Sequence, residues 1–215
     1  MTRYDTSSLI EAQFEPGSRG RVLRNKFGIK SRQEMNEAES IALKIAMNKF
    51  VGIYDEKHRF TAGDIRTMHK VWLGDIYEWA GEYRQVNVSK GDFHFAAAAQ
   101  VPKLMAEFEK GALRKYTPCS FKEIERVSQA LAEVHVELVL IHPFREGNGR
   151  VARILSTLTA FQSALPMLNF KDITGGKRKD YFAAINNGLN RDYKLMERLF
   201  TKIIRRTLKT KSTVL

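Results

Sequence analysis

Between Ile141 and Arg153 the chain reads IHPFREGNGRVAR, a run whose residue types can do chemistry together. His142 can be neutral at physiological pH and can accept a proton from an alcohol. Gly147 and Gly149 flank Asn148; both allow backbone angles that other residues resist, and they let N–H groups point into one small volume. A helix restarts near Arg150, so its free N–H groups and the positive end of its dipole face that volume, which should hold an anion. Arg150 and Arg153, three apart on the new helix, add charge and forked donors. Glu146 would repel bare phosphate, so its place in the loop makes sense if a cation such as Mg²⁺ bridges it to phosphate oxygens. Base, cradle and cation ligand together point to phosphate-ester transfer.

Helices must position these groups. Phe121, Ile124, Val127, Leu131, Val134 and Leu138 form the strongest helical pattern in the chain, opened by a capping box of Ser120 with Glu123, and this helix delivers His142 and Phe144. Ile154, Leu155, Leu158, Phe161 and Leu165 continue as an apolar stripe beyond the loop. Upstream, Ser31 with Glu34 caps a helix through Met35, Ala38, Ala42, Ile45 and Lys49, with Ile41 and Ala46 widening its stripe. A second helix opens near Asp64 with Ile65, Met68, Trp72, Ile76 and Trp79 on one side, and Gly81 ends it. Val86 to Phe95 alternates around a turn at Lys90-Gly91-Asp92 and predicts a short hairpin. Helical spacing resumes at Val101, Leu104, Met105 and Phe108, with Pro102 in the first turn. After a Gly175-Gly176 break, Tyr181 to Ile185 and Leu195 to Leu208 predict two more helices. The expected fold is mostly α, one domain of seven or eight helices with one hairpin.

Bulk properties narrow the class. At 215 residues, 43% hydrophobic and 28% charged, the chain fits a single soluble core. Its richest apolar stretch, Leu138 to Pro143, is too short to cross a bilayer, and the N-terminus lacks a secretory apolar stretch, so a cytoplasmic site of synthesis is expected, with export by other signals left open. Cys119 is the sole cysteine, which excludes an internal disulfide and predicts an inert thiol. Of the formal charge of +12, two-thirds lies in residues 171–215, which hold twelve Lys or Arg against four Asp or Glu.

The run His142-Pro143-Phe144-Arg145-Glu146-Gly147-Asn148-Gly149-Arg150, with Arg153, resembles the Fic family signature HxFx(D/E)GNGRxxR at every defined position. Ile76 to Arg84, followed by Ser89-Lys90-Gly91, looks like the helix end and flap of that family. The opening RGRVLRNKFGI resembles the region before the core in toxin and type IV secretion effector members. The resemblance implies an N-terminal arm over 1–20, a Fic domain over 21–208 and a basic tail over 209–215. It implies protein adenylyltransferase activity, with ATP and Mg²⁺ as the bound partners of the loop. His142 would take the proton of a target Tyr, Ser or Thr hydroxyl as its oxygen attacks the α-phosphorus, and pyrophosphate would leave. Phe144 would anchor the loop in the core, Glu146 would hold Mg²⁺, and Gly147, Asn148 and Gly149 would form the anion hole. Arg150 would hold the β- and γ-phosphates, and Arg153 would support the terminal phosphate or brace the loop. Members that phosphorylate their targets tend to carry Lys at the position of Gly149, so glycine favours AMP transfer over the alternatives of phosphotransfer or another nucleotidyl transfer.

A target protein would dock on the flap, where Val86, Asn87, Val88 and Ser89 offer an edge to an extended segment. Lys90 and Phe93 either clamp the target side chain or serve as a turn lysine and a packed aromatic. Tyr181 and Asn187 are candidates to border the adenine. Many relatives are inhibited by a helix bearing (S/T)xxxE(G/N). Ser7 to Ala12 has the serine-to-glutamate spacing at Glu11, but alanine stands at the last position, so the inhibitory helix is expected on a separate small antitoxin. The competing class is a basic nucleic-acid-binding helical module built on Lys202, Arg205, Arg206, Lys209 and Lys211. It would gain little from Glu146 in a phosphate loop, and nucleic acid is not the expected partner. His135 is expected to be structural, and His58, His69 and His94 are too irregularly spaced to make a metal signature.

Overall fold

The computed structural model of the chain describes residues 8–173 and 178–212, apart from the side chains of Asp172, Arg178, Lys211 and Ser212. Gly175-Gly176 and Ser7 lie outside the described residues. In chain order the elements are α1 (Arg32–Ile53), α2 (Ala62–Leu73), β1 (Ser89–Lys90), β2 (Phe93–His94), α3 (Val101–Phe108), α4 (Arg114–Tyr116), α5 (Ile124–Ile141), α6 (Asn148–Gln162), α7 (Arg178–Asn187) and α8 (Lys194–Ser212). A π-helical turn, Glu109–Leu113, joins α3 to α4. The architecture is mostly helical with one small antiparallel hairpin, as the sequence leads one to expect.

The fold is organised around α5, which packs against α6 and α8 and also touches α3 and α7. Its apolar residues lie on almost every side, with Val127, Ala130, Leu131, Val134, Val136, Leu138, Val139 and Ile141 all buried. A helix that is apolar all round stays at the centre of a domain. His142 therefore emerges from the best-packed helix in the molecule. The basic residues of α8 lie on its outer side, Lys202, Arg205 and Lys209 exposed, while Met196, Phe200, Ile203 and Ile204 are buried. Arg205 reaches Glu125 of α5 at 3.6 Å.

Four local expectations are corrected. The buried stripe of α1 is Met35, Glu39, Ala46 and Phe50, whereas Ile41 and Ile45 are 61% and 55% exposed. A glutamate occupies the position on which the apolar stripe is centred. Helix α2 stops at Leu73, capped by Gly74, and Gly81 with φ +86 ends the turns that follow rather than the helix. The N-terminus of α2 is instead secured by a full capping box between Thr61 and Asp64. Helix α5 starts at Ile124 with Glu123 as its cap residue and no side-chain cap bond, so the Ser120 box is not made. At the C-terminus, α8 continues to Ser212, past the Leu208 limit read from apolar spacing.

Residues 8–26 lie on the body. They contain a 3-10 turn (Ile10–Ala12) and a β-bridge between Phe14 and Leu23. Lys26 then ties them to the end of α2 through its N–H to the Ile76 carbonyl (2.9 Å) and its Nζ to the Gly74 carbonyl (2.7 Å).

Candidate active site

Helix α5 ends by turning left-handed at His142, with φ 53 and ψ 59. That conformation is disfavoured for a residue with a Cβ and is held here by its surroundings. The His142 N–H donates to the Leu138 carbonyl (3.1 Å), and its carbonyl accepts from Arg84 Nε (2.7 Å). Nδ1 of the imidazole lies 3.1 Å from the Val139 carbonyl oxygen. A carbonyl can only accept, so Nδ1 carries the hydrogen and Nε2 keeps its lone pair. The ring stacks on Phe95, with centroids 3.6 Å apart and planes at 21°. Burial, followed by the cations Arg84 and Lys90, lowers the His142 pKa to about 4 against the opposing pull of the Val139 bond and Glu146. The imidazole is neutral at physiological pH, with the tautomer a proton acceptor requires.

The loop after His142 closes on itself. Asn148 is buried; its Oδ1 accepts from the Phe144 N–H (2.8 Å) and its Nδ2 donates to the Phe144 carbonyl (2.7 Å). Its side chain is thus spent on loop shape, and only its backbone N–H is left for an anion. Phe144 is fully buried and stacks on His69 at 3.9 Å and 14°. His69 accepts the Gly81 N–H at Nδ1 (2.8 Å), which places its hydrogen on Nε2 for the Glu146 carbonyl at 3.1 Å. Burial lowers the His69 pKa to about 3 and keeps it neutral in this bridge.

Gly147 has φ +84, and a Cβ there would come within 2.8 Å of the Trp72 ring. Glycine is thus required twice, by conformation and by close approach. The Gly147 carbonyl accepts from the N–H groups of Arg150 and Val151, both at 2.9 Å, which starts α6. Asn148 and Gly149 fall in the first turn, where N–H groups have no intrahelical acceptor. The Gly147 N–H donates to the Glu146 Oε1 (2.9 Å), so that donor faces its neighbour's carboxylate rather than an anion. The Glu146 side chain is 51% exposed and also lies 3.6 Å from Arg150 Nη2.

Arg150 is seated rather than loose. Its Nη1 pairs with Glu39 Oε2 at 2.5 Å, and its guanidinium lies over the Trp72 ring at 4.7 Å. Glu39 also accepts the Tyr77 hydroxyl (2.8 Å), and its backbone carbonyl accepts Trp72 Nε1 (2.9 Å). Arg153 follows on α6, its Nη1 3.7 Å from where a side chain on Gly149 would begin. Behind it, Ser156 gives its hydrogen to the Ala152 carbonyl (2.8 Å) and so accepts from His135 Nδ1 (3.1 Å). His135 Nε2 then accepts the Tyr181 hydroxyl (2.9 Å). Tyr181 is buried with its hydroxyl committed, and Asn187 is half-buried at the end of α7.

The flap pairs Ser89 with His94 and Lys90 with Phe93 around a two-residue turn in which Gly91 has φ +58. Phe93 and Phe95 pack edge to face at 5.0 Å, and Lys90 Nζ lies 4.4 Å over the Phe182 ring of α7. Val86 has both backbone groups engaged, its N–H to Glu11 Oε1 (3.0 Å) and its carbonyl to Arg84 Nη1 (2.8 Å). Asn87 Oδ1 accepts the Ala98 N–H (2.8 Å), and the Val88 carbonyl accepts the Phe95 N–H (3.3 Å). Arg84, itself 2% exposed, further donates from Nη2 to the Ala96 carbonyl and so links the segments on both sides of the hairpin to the carbonyl of His142.

Sequence reasoning passes over Glu39, His69, Phe95 and the flap role of Glu11. Only Glu39 left a readable trace, four residues after Met35 and seven before Ala46, on the stripe that buries α1. Cys119 is buried, and burial pushes its thiol pKa up, in keeping with an inert residue. No helix among the described residues is long and apolar enough to cross a membrane.

Comparison with known proteins agrees with this geometry. The Fic/DOC family profile matches residues 59–160. Protein adenylyltransferase VbhT of Bartonella schoenbuchensis is 30% identical over 153 residues, which are 71% of this chain, and the chain spans 31% of that relative's length. The probable protein adenylyltransferase Fic of Escherichia coli is 27% identical over 190 residues, 85% of this chain and 88% of the relative. The crystal structure of BepC, a VirB-translocated effector of Bartonella tribocorum with bound AMPPNP, superposes with a TM-score of 0.70 at 22% identity, covering 91% of this chain and 97% of that one. With the HxFx(D/E)GNGRxxR string folded into a loop between two helices and a flap beside it, this chain carries a Fic/DOC family domain.

Proposed function

We propose that the chain is a protein adenylyltransferase that moves AMP from ATP to a Tyr, Ser or Thr hydroxyl of a target protein. The observation that carries this reading is His142, a neutral imidazole whose Nδ1–H is fixed on Val139, which leaves the lone pair on Nε2, five residues before the glycine that starts α6. In this reading Nε2 takes the proton of the target hydroxyl while its oxygen bonds to the α-phosphorus of ATP. The bond from that phosphorus to its bridging oxygen breaks, and pyrophosphate leaves. The α6 N-terminus, through the Asn148 and Gly149 N–H groups, receives the negative charge on the phosphate oxygens. Arg150 and Arg153 bind the outer phosphates.

Glu146 suits Mg²⁺, since it offers a hard oxygen donor on a half-exposed side chain, and Mg²⁺ is commonly held by one or two carboxylates with substrate phosphates and water. The cation would neutralise phosphate charge. For its part, the protein holds Glu146 in place through the His69 bond to its carbonyl and the Arg150 pair. Phe95 covers one face of the imidazole and fixes its plane.

The flap presents the target: residues 87–90 lie beyond the tie at Val86, and an extended segment pairing there brings its hydroxyl toward His142. Control by a separate antitoxin is part of this reading. Expression alone should then slow bacterial growth, and a small helical partner should restore it; unimpaired growth with abundant active protein rejects that control. Secretion into a recipient cell is the second setting, supported by the likeness to VirB-translocated effector structures.

Lysate incubated with α-labelled and, separately, γ-labelled ATP tests the chemistry. Label carried into protein from the α position only is the expected result. Transfer from the γ position instead would show a phosphotransferase.

A further inference from the structure

We propose that Glu11 is a positioning residue that clasps the target-presenting flap onto the catalytic loop. The sequence gives Glu11 only the spacing of an inhibitory glutamate, but the structure turns its carboxylate to the flap. Glu11 is 5% exposed, and its Oε1 accepts from two consecutive backbone N–H groups, Gln85 at 2.6 Å and Val86 at 3.0 Å. Its own carbonyl accepts Arg145 Nε at 3.0 Å, from the catalytic loop between Phe144 and Glu146. One residue therefore holds both the base of the flap and the motif loop.

The charge has a reason to be there. Arg84 is buried between the flap and His142, and Glu11 is the anion that acts on it. A buried cation without a compensating charge is costly, and a carboxylate accepting backbone N–H groups makes strong hydrogen bonds. Glu11 and Arg84 hold the two backbone groups of one residue: the carboxylate takes the Val86 N–H, and the guanidinium takes the Val86 carbonyl. Since the hairpin itself has only two residues per strand, its base rather than its own pairing sets its position.

The arm is anchored independently of Glu11. The Phe14 bridge to Leu23, the Arg24 N–H to the Gln13 carbonyl (2.9 Å) and the Asn25 N–H to Glu15 (3.2 Å) all remain when the Glu11 side chain is removed. Glu11→Ala leaves these ties in place but also strips buried Arg84 of its counter-charge, so its melting temperature is measured alongside to report whether the body has changed.

This inference rests on the flap reading above, and the experiment separates the two. Native-state hydrogen exchange on the full chain reads the amides of Gln85 and Val86 directly. In Glu11→Ala both should exchange about tenfold faster or more, with the α5 amides unchanged; Glu11→Gln, which keeps an acceptor oxygen, should fall between. Labelling of lysate by α-labelled ATP should slow about tenfold in dilute lysate and recover as the lysate is concentrated, while affinity for a non-hydrolysable ATP analogue is retained. Equal exchange of the two amides in wild type and Glu11→Ala overturns the clasp. Faster exchange with unchanged labelling at every dilution overturns its part in target capture. If the wild-type chain labels no protein, the transferase reading fails, and the exchange result still decides the clasp.

Discussion

The motif loop and the flap are neighbours, with Phe95 stacked on His142, yet they are held by opposite means. From Phe144 to Val151 the loop satisfies its polar groups largely within itself, through Asn148 on both sides of Phe144 and the Gly147 carbonyl on two N–H groups. Buried rings back it, Phe144 against His69 and Trp72 beneath Gly147. The flap has a two-residue ladder, and Ser89, Lys90, Gly91 and Asp92 are exposed. It is located from its base, by Arg84 and Glu11. The loop's geometry is overdetermined by local bonds, whereas the flap, the proposed landing place of a partner, is fixed at one end.

Substituting His142 should break the comparison most severely. His142→Ala should lower transfer by about 10²–10⁴-fold while nucleotide affinity stays near wild type, because the base goes and the cradle remains. Equal loss of affinity and turnover in a titration would show that the imidazole is a binding group.

Gly147→Ala tests the rigid side. Left-handed backbone strain costs about 1–3 kcal/mol, and the 2.8 Å approach to Trp72 adds to it, so the melting temperature should fall and nucleotide binding with it. Gly91→Ala also carries strain at φ +58 but meets nothing within 4 Å, so it should cost less and spare nucleotide binding. If the two variants melt alike, the contrast between loop and flap fails.

Acid sharpens the contrast further. His69, His135 and His142 are lowered by burial to about 3, 3 and 4 from an ordinary 6.5. Below about pH 6.5 the unfolded chain binds protons at these positions and the folded chain does not, so stability falls with falling pH, by about 1.4 kcal/mol per pH unit for each imidazole. Melting curves between pH 7 and pH 4 should show this slope, and His135→Gln should reduce it. A flat profile would mean that these rings are protonated in the fold. Transfer, by contrast, should keep its base in the neutral form until the pH approaches 4.

The smallest effect belongs to the flap tip. Lys90→Ala loses a cation–π contact with Phe182 worth about 0.5–1 kcal/mol at an exposed site. Labelling rates should shift by no more than a few fold, and an abolished reaction would give Lys90 a direct part in the chemistry.

Much of this could be read from the sequence, for physical reasons. The motif is contiguous, so its spacing and its two glycines carry the loop, and the apolar period of α5 carries the helix that presents it. What stayed hidden depends on long-range pairing. Glu39 meets Arg150 across 111 positions, and Glu11 meets Val86 across 75. A glutamate on a buried stripe reads as a gap in the pattern, which is why Ile41 and Ile45 were expected inside α1 and are found in solvent. His69 gave no signal, since its work is to connect two backbone segments. The Asn148 side chain belongs to the loop's own scaffolding for the same reason.

His142 terminates one helix, and Gly147 begins the next. The two ends carry opposite partial charge, negative at the carboxyl end of α5 and positive at the amino end of α6. In the proposed transfer a proton would arrive on the imidazole while anionic character shifts to the departing phosphates, and each new charge would grow beside the pole that attracts it. The backbone alone would thus polarise the site along the direction in which the proposed reaction separates charge, before any side chain moves.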